Sequence, residues 1–296
     1  MVDRHGAPAL KKVYDQAGRE LDRKLRHLTR VGRSETMTAV QAYGLKAQVR
    51  QAQVALSQKM AGALGDVSKA AQTEALRGVS RDVSRLEQEF TGSELVLPIE
   101  EVSRFAGVID RRVPSLMRMH QESMARYGVR AVGDFEDQLA LSLASGETAS
   151  EGVDRLMDVY DMEWWQGERI VRTEVAWAFN STYADGLDEV SDEIPDLKKR
   201  WSEHVDDDTY EPYDDRVGTD SVAMHGQVTD TDGVFTMPAT APRAGADGKT
   251  TVTESLVGLT WEYPPNRPND RAVVVPWRPH WGIPGWVLRD GRRVRV

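Results

Sequence analysis

The chain has 296 residues, a mass of 33.1 kDa, a formal net charge of -9, a mean hydropathy of -0.51 and no cysteine. Its length suffices for one large domain or two ordinary ones with a sizeable core, and no apolar run approaches the roughly 18 to 20 residues of a membrane span. Without cysteine there is no disulfide framework, thiolate metal site or thiol nucleophile, and without an apolar stretch behind the basic N terminus the chain is expected to be soluble and not addressed for export by itself.

The averages hide an uneven chain. Residues 1–150 carry 22 Lys and Arg against 19 Asp and Glu, whereas the remainder carries 16 against 28. All eight tryptophans and ten of the thirteen prolines lie in that acidic remainder. Two differently built regions are expected.

From Leu10 to Phe90 there is no proline, and strong helix formers dominate. Leu10, Tyr14, Ala17, Leu21, Leu28 and Val31 follow a helical stripe interrupted by Lys24, and Val79, Val83, Leu86 and Phe90 resume it. Gly32 with Ser34, and Gly62 with Gly65, offer breaks, so two or three helices are expected here. Pro98, Glu100 and Glu101 signal a helix start, with a helix running on to about Tyr127. Further helices are expected at Val132–Ser145, at Ala149–Tyr160 after Gly146-Glu-Thr, and at Glu163–Val190, stopping before Pro195. Beyond Trp201, short apolar runs alternate with Asp, Gly and Pro. Val252–Tyr263 and Arg271–Val275 are β-rich, and the run from Trp286 to Val296 has a hairpin signature at Asp290-Gly291. The expected fold class is α+β: a long, mainly α-helical N-terminal arm followed by a compact α+β module with short strands at the C terminus. The divisions are an extended arm over 1–95, a helical region over 96–162 and the module over 163–296.

Chemistry-bearing residues cluster at His204, Asp206, Asp207, Asp208 and Glu211, then Asp214 and Asp215, then His225. Histidines and carboxylates of this kind can ligate a divalent ion, and a metal-dependent nuclease or effector enzyme using His204, Asp206, Asp207 and His225 is the alternative reading. Their spacing fits no rigid ligand template, Asp230-Thr-Asp232-Gly233 is only half a calcium loop, and solvated acidic turns are the plainer reading. No catalytic residue, metal site or cofactor is therefore assigned. Arg172 and Glu174, two residues apart on a helix, face away from each other and are expected each to hold a partner from the strand module. The nine Lys and Arg up to Arg33 are interleaved with four acids, which suits phosphate contact or an ordinary exposed helical face. The tail tryptophans Trp277, Trp281 and Trp286 suit either a docking surface or the core of a small module.

Taken in order, the second half resembles the phage Mu F-like family of head morphogenesis, or minor head, proteins. The residues that carry the resemblance are Ile170-Val-Arg172-Thr173-Glu174 with Asn180 on one helix, then Lys199-Arg200-Trp201 entering the Asp206–Asp208 turn. His225-Gly226-Gln-Val, Phe235-Thr-Met-Pro238 and Pro265 through Asn269-Asp270-Arg271-Ala272 follow. The family's Asn-Cys-Arg-Cys strand is matched at Asn269 and Arg271, with Asp270 and Ala272 in place of both cysteines. The resemblance spans about Val153 to Pro276. It implies a non-enzymatic virion component in few copies, located in the capsid interior or at the portal vertex and in the host cytoplasm during assembly. Head morphogenesis and DNA packaging or delivery would be its work. The implied partners are the portal protein, with the major capsid protein and the phage genomic DNA as further ones. Asn269 and Arg271 would tie a strand to the Arg172 and Glu174 helix.

Overall fold

The computed structural model describes residues 7–30, 36–93, 102–207, 210, 212–213, 217–242, 249–265, 271–290 and 292–296. The fold is α+β, with four long helices in the N-terminal part and short antiparallel strands toward the C terminus. Two compact units divide the chain, one made of residues 1–67 and 114–172 and the other of 68–113 and 173–296. Neither is a contiguous stretch. The reason is physical: an apolar helical stripe must be buried, and its partner need not be its neighbour in sequence.

The first unit contains α1 (Ala7–Leu28) and parts of α2 (Ala39–Thr91), α3 (Val102–Ala144) and α4 (Ala149–Ser191). In α1 the buried stripe is Leu10, Tyr14, Gly18, Leu21 and Leu25. It departs from the sequence pattern at its end, where Leu28 is 45% exposed and Leu25 points inward; Val31 lies outside the described residues. Tyr14 and Tyr160 each donate a hydroxyl hydrogen bond to the other's carbonyl, with ring centroids 4.4 Å apart. Gly18 makes room for this pair, because a Cβ there would stand 2.7 Å from the Tyr160 ring. Two helix starts are capped reciprocally. Thr38 and Gln41 exchange bonds at 2.9 and 3.3 Å below α2, and Thr148 and Glu151 at 2.8 and 3.3 Å below α4, each satisfying two otherwise open N–H groups. His120, fully buried in this unit, has its imidazole held down to about 4 by burial.

Three expected breaks do not occur. Helix α2 runs through Gly62 and Gly65, α3 joins the segments on either side of Val129 to Ala131, and α4 runs through Asp161 and Met162. An interior glycine costs only about 1 kcal/mol, which burial of Met60, Ala61 and Leu64 around it outweighs. At Gly65 a side chain is also sterically refused, since Met117 Sδ lies 2.7 Å from the Cβ position. The Gly32 and Ser34 break and the Pro98 start lie outside the described residues.

The second unit adds to its helical segments β1 (Lys198–Ser202), α5 (Thr219–Met224), β2 (Val228–Asp230), β3 (Phe235–Thr236), β4 (Thr240–Pro242), β5 (Lys249–Thr251), β6 (Thr260–Trp261), β7 (Val273–Trp277), β8 (Trp286–Arg289) and β9 (Arg292–Arg295). The antiparallel sheet β2-β1-β7 has β1 at its centre, with Arg200 opposite Val228 on one side and Val275 on the other. Pairs β3 with β6, β4 with β5 and β8 with β9 are each two-stranded. The terminal hairpin stands where its turn residues place it, with Asp290 at a φ of 48°. Most of Val252–Tyr263 is turn, a 3-10 turn at Glu254–Leu256 taking the place of strand. Trp201, Trp281, Phe235 and Tyr183 form the middle of the core with Val79 and Val83 from α2.

Candidate functional site

The site is organised by β1. It is the central strand, paired along both edges, and its residues Lys199, Arg200 and Trp201 are all buried. Side chains alternate along a strand, so Lys199 and Trp201 share one face and both meet Phe235: Trp201 edge-on at 5.2 Å, and Lys199 Nζ at 5.7 Å from the ring centroid. Burial pushes the Lys199 ammonium down from its usual range. Arg200 alone looks to the other face. Its Nε donates to the Pro284 carbonyl at 2.9 Å and its Nη2 donates to Asp207.

His225 reaches the same place from the end of α5. The turn His225-Gly226-Gln227 is bound to the backbone of Trp201, with Gly226 N to Trp201 O at 2.9 Å and Trp201 N to Gln227 O at 2.8 Å. Glycine is required at 226, where φ is +80° and the ring of Trp286 lies 3.2 Å from the Cβ position. Trp286 Nε1 donates to the His225 carbonyl at 2.7 Å. The imidazole is locked in one tautomer. Its Nδ1 accepts the Glu203 backbone N–H at 3.1 Å, so the proton sits on Nε2 and is donated to Asp207 Oδ1 at 2.8 Å. Burial pushes the His225 imidazole down and keeps it neutral. For Asp207 burial acts upward, but the His225 hydrogen bond and the Arg200 charge outweigh it and hold the carboxyl below its usual range. Arg293 lies over the Trp286 ring at 4.1 Å, and burial pushes its guanidinium down to about 10.

These polar atoms are spent on the chain itself. Every ring nitrogen of His225 is engaged internally, while His204 is exposed and its ring stands 5.0 Å from that of Tyr213. Asp206 accepts from the Tyr213 hydroxyl at 3.4 Å. The structure thus joins Asp207 to His225 but does not gather His204 and Asp206 with them. Among the described residues no three His, Asp or Glu side chains are grouped to hold a metal ion; Asp208, Glu211, Asp214 and Asp215 lie outside them.

No family model, characterised protein or solved structure matches this chain. The resemblance to the Mu F-like family therefore rests on the ordered motif residues, whose positions are as follows. Arg172 binds Glu168, one turn earlier on α4, at 2.8 Å. Glu174 is 9% exposed. Asn180 clamps β7 through the backbone: its Nδ2 donates to Ala272 O and its Oδ1 accepts from Val274 N, both at 3.0 Å. A helix-to-strand tie thus runs from Asn180, a residue quoted only as sharing the motif helix. Arg271 is exposed and Asn269 lies outside the described residues. Phe235 and Pro238 are buried.

The sequence did not single out the buried role of Arg200, nor Glu87 on α2, which accepts from Trp281 Nε1 and Arg278 Nη1 at 2.8 Å each. The one sequence signal for the latter was the tryptophan-rich tail. Trp277, Trp281 and Trp286 are all at least 96% buried, so they fill the core of the unit.

Acid is expected to weaken this fold. His120 and His225 have folded-state values below their unfolded ones, so their contribution is complete above about pH 6.5 and is lost as the unfolded chain takes up protons that the fold refuses. Asp207, also lowered, loses its contribution as pH falls through the carboxylate range. Urea midpoints are expected to fall from pH 7 to 4.5, and His120→Met is expected to remove part of that fall. A midpoint independent of pH would show that these imidazoles take up protons as readily in the fold as in the unfolded chain.

Proposed function

We propose that the chain is a structural and assembly protein of a tailed-phage virion, a minor head protein associated with the portal vertex that acts in head morphogenesis and DNA packaging or delivery. The observation that supports this reading is the use made of the motif residues. Asn180, Trp201, Asp207, His225, Gly226 and Phe235 come from separate segments, yet their polar groups bind neighbouring backbone, Arg200 or Glu203. Such a cluster defines a rigid shape, which is what a docking module needs, and ties its one carboxylate, Asp207, to Arg200 and His225. The non-enzymatic reading rests on the same argument, and the portal protein as partner rests on the resemblance of the motif residues to the Mu F-like family.

Two measurements test it. A reconstruction of the portal vertex of particles made by the virus that encodes this chain is expected to show it there, and absence from purified particles would overturn the reading. Plasmid DNA incubated with the purified protein and Mg²⁺ or Mn²⁺ is expected to stay intact. Cleavage that is abolished by His204→Ala and His225→Ala would replace the assembly reading with a nuclease.

A further inference from the structure

Helix α1 contains six Lys and Arg and three acids. Each acid is neutralised by a cation four residues away: Lys11 with Asp15, Lys24 with Glu20 at 3.0 Å, and Arg26 with Asp22 at 2.8 Å. Three cations are left over, Lys12, Arg19 and Arg23, and none of them takes part in an ion pair among the described residues. At 100° per residue, spacings of seven and four place all three within about 20° of one line along the helix. All three are exposed, as is Arg30 in the turn that closes the helix. Lys12 to Arg23 covers about 16 Å and the row extends to about 27 Å at Arg30, at 1.5 Å per residue. The side chains between them on that face, Gln16 and His27, are polar and exposed.

We infer that this row is a binding surface for the phosphate backbone of double-stranded nucleic acid. Each acid of the helix is taken up by a cation four residues away, which leaves a straight cationic edge on an otherwise acidic chain. Duplex DNA offers one charge per about 1.7 Å of axis, so such an edge meets phosphates without needing a particular sequence. A lipid surface would need a free apolar helical face, but Leu10, Tyr14, Leu21 and Leu25 are buried in the first unit. A protein partner would call for an apolar or aromatic anchor in the row, and there is none. Naming genomic DNA as the natural partner rests on the head-protein reading, whereas the surface itself does not.

The test uses the full-length chain, a fluorescent 30-base-pair duplex and salt titration. Four phosphate contacts predict an affinity loss of about 150-fold between 50 and 200 mM salt. The variant Lys12→Gln, Arg19→Gln, Arg23→Gln and Arg30→Gln is expected to flatten that dependence and to lose at least about 100-fold in affinity at 50 mM salt. Its thermal unfolding should match the parent, because all four side chains are exposed, and Lys11→Gln with Asp15→Asn should leave binding unchanged. Undiminished binding by the fourfold variant would overturn the inference, as would a salt-independent affinity or retention on phosphatidylserine vesicles without binding to the duplex. DNA binding by a protein absent from virions would keep the surface and remove the head-protein reading; presence in virions without DNA binding would do the reverse.

Discussion

Trp201→Ala is expected to lower the unfolding free energy by about 4 kcal/mol, read as a fall in the urea midpoint. The side chain is fully buried on the central strand, packs edge-on against Phe235 at 5.2 Å and donates Nε1 to Glu203 Oε1 at 3.1 Å. Truncation leaves a cavity between sheet and helix and takes the indole donor from a carboxylate that is 6% exposed. Trp201→Phe keeps most of the packing and isolates the hydrogen-bond part, for which a loss of about 1 to 3 kcal/mol is expected. Trp165→Ala provides the contrast, since Trp165 is 55% exposed and should cost under about 1 kcal/mol. If Trp201→Ala cost no more than Trp165→Ala, Trp201 would not be the centre of this core.

Asn180→Ala is expected to cost about 3 kcal/mol. It removes the hydrogen bonds that Asn180 makes with the Ala272 carbonyl and the Val274 N–H at 3.0 Å each, and a buried hydrogen bond broken on one side costs about 1 to 3 kcal/mol. Asn180→Asp gives a sharper signature. An ionised carboxylate still accepts from Val274 but cannot donate to Ala272, whereas the protonated acid can do both. The stability gap between this variant and the parent should therefore narrow as pH falls toward 4 and widen toward neutrality. A pH-independent gap would mean that the clamp matters for its volume and not for its hydrogen bonds.

Legibility in the sequence followed the range of the interaction. The α+β class, the helix-forming first half, the Thr148 helix start and the Trp286 hairpin could all be read, because each depends on propensity, periodicity or turn residues within a few positions. Helix ends were less legible. Gly62 and Gly65 look like breaks locally, yet packing outweighs a penalty of about 1 kcal/mol each. At the site, the residues that resemble the Mu F-like motifs were visible as a list, but their roles were not. Asn180 turned out to hold β7, while Arg172 pairs with Glu168 on its own helix. The acidic cluster looked like one feature from His204 to His225, and the structure bonds Asp207 to the buried His225 while His204 stands apart and exposed.

The sequence by itself determined the absence of cysteine chemistry, the class of fold and the cationic character of the first helix, since composition and short-range spacing are properties of the chain alone. Packing of distant segments decided which way Arg200 faces and why glycine stands at 226. Burial and a forced backbone angle arise when distant segments meet: β1 is paired along both edges by β2 and β7, and Gly226 acquires its constraint from Trp286, 60 residues further along the chain.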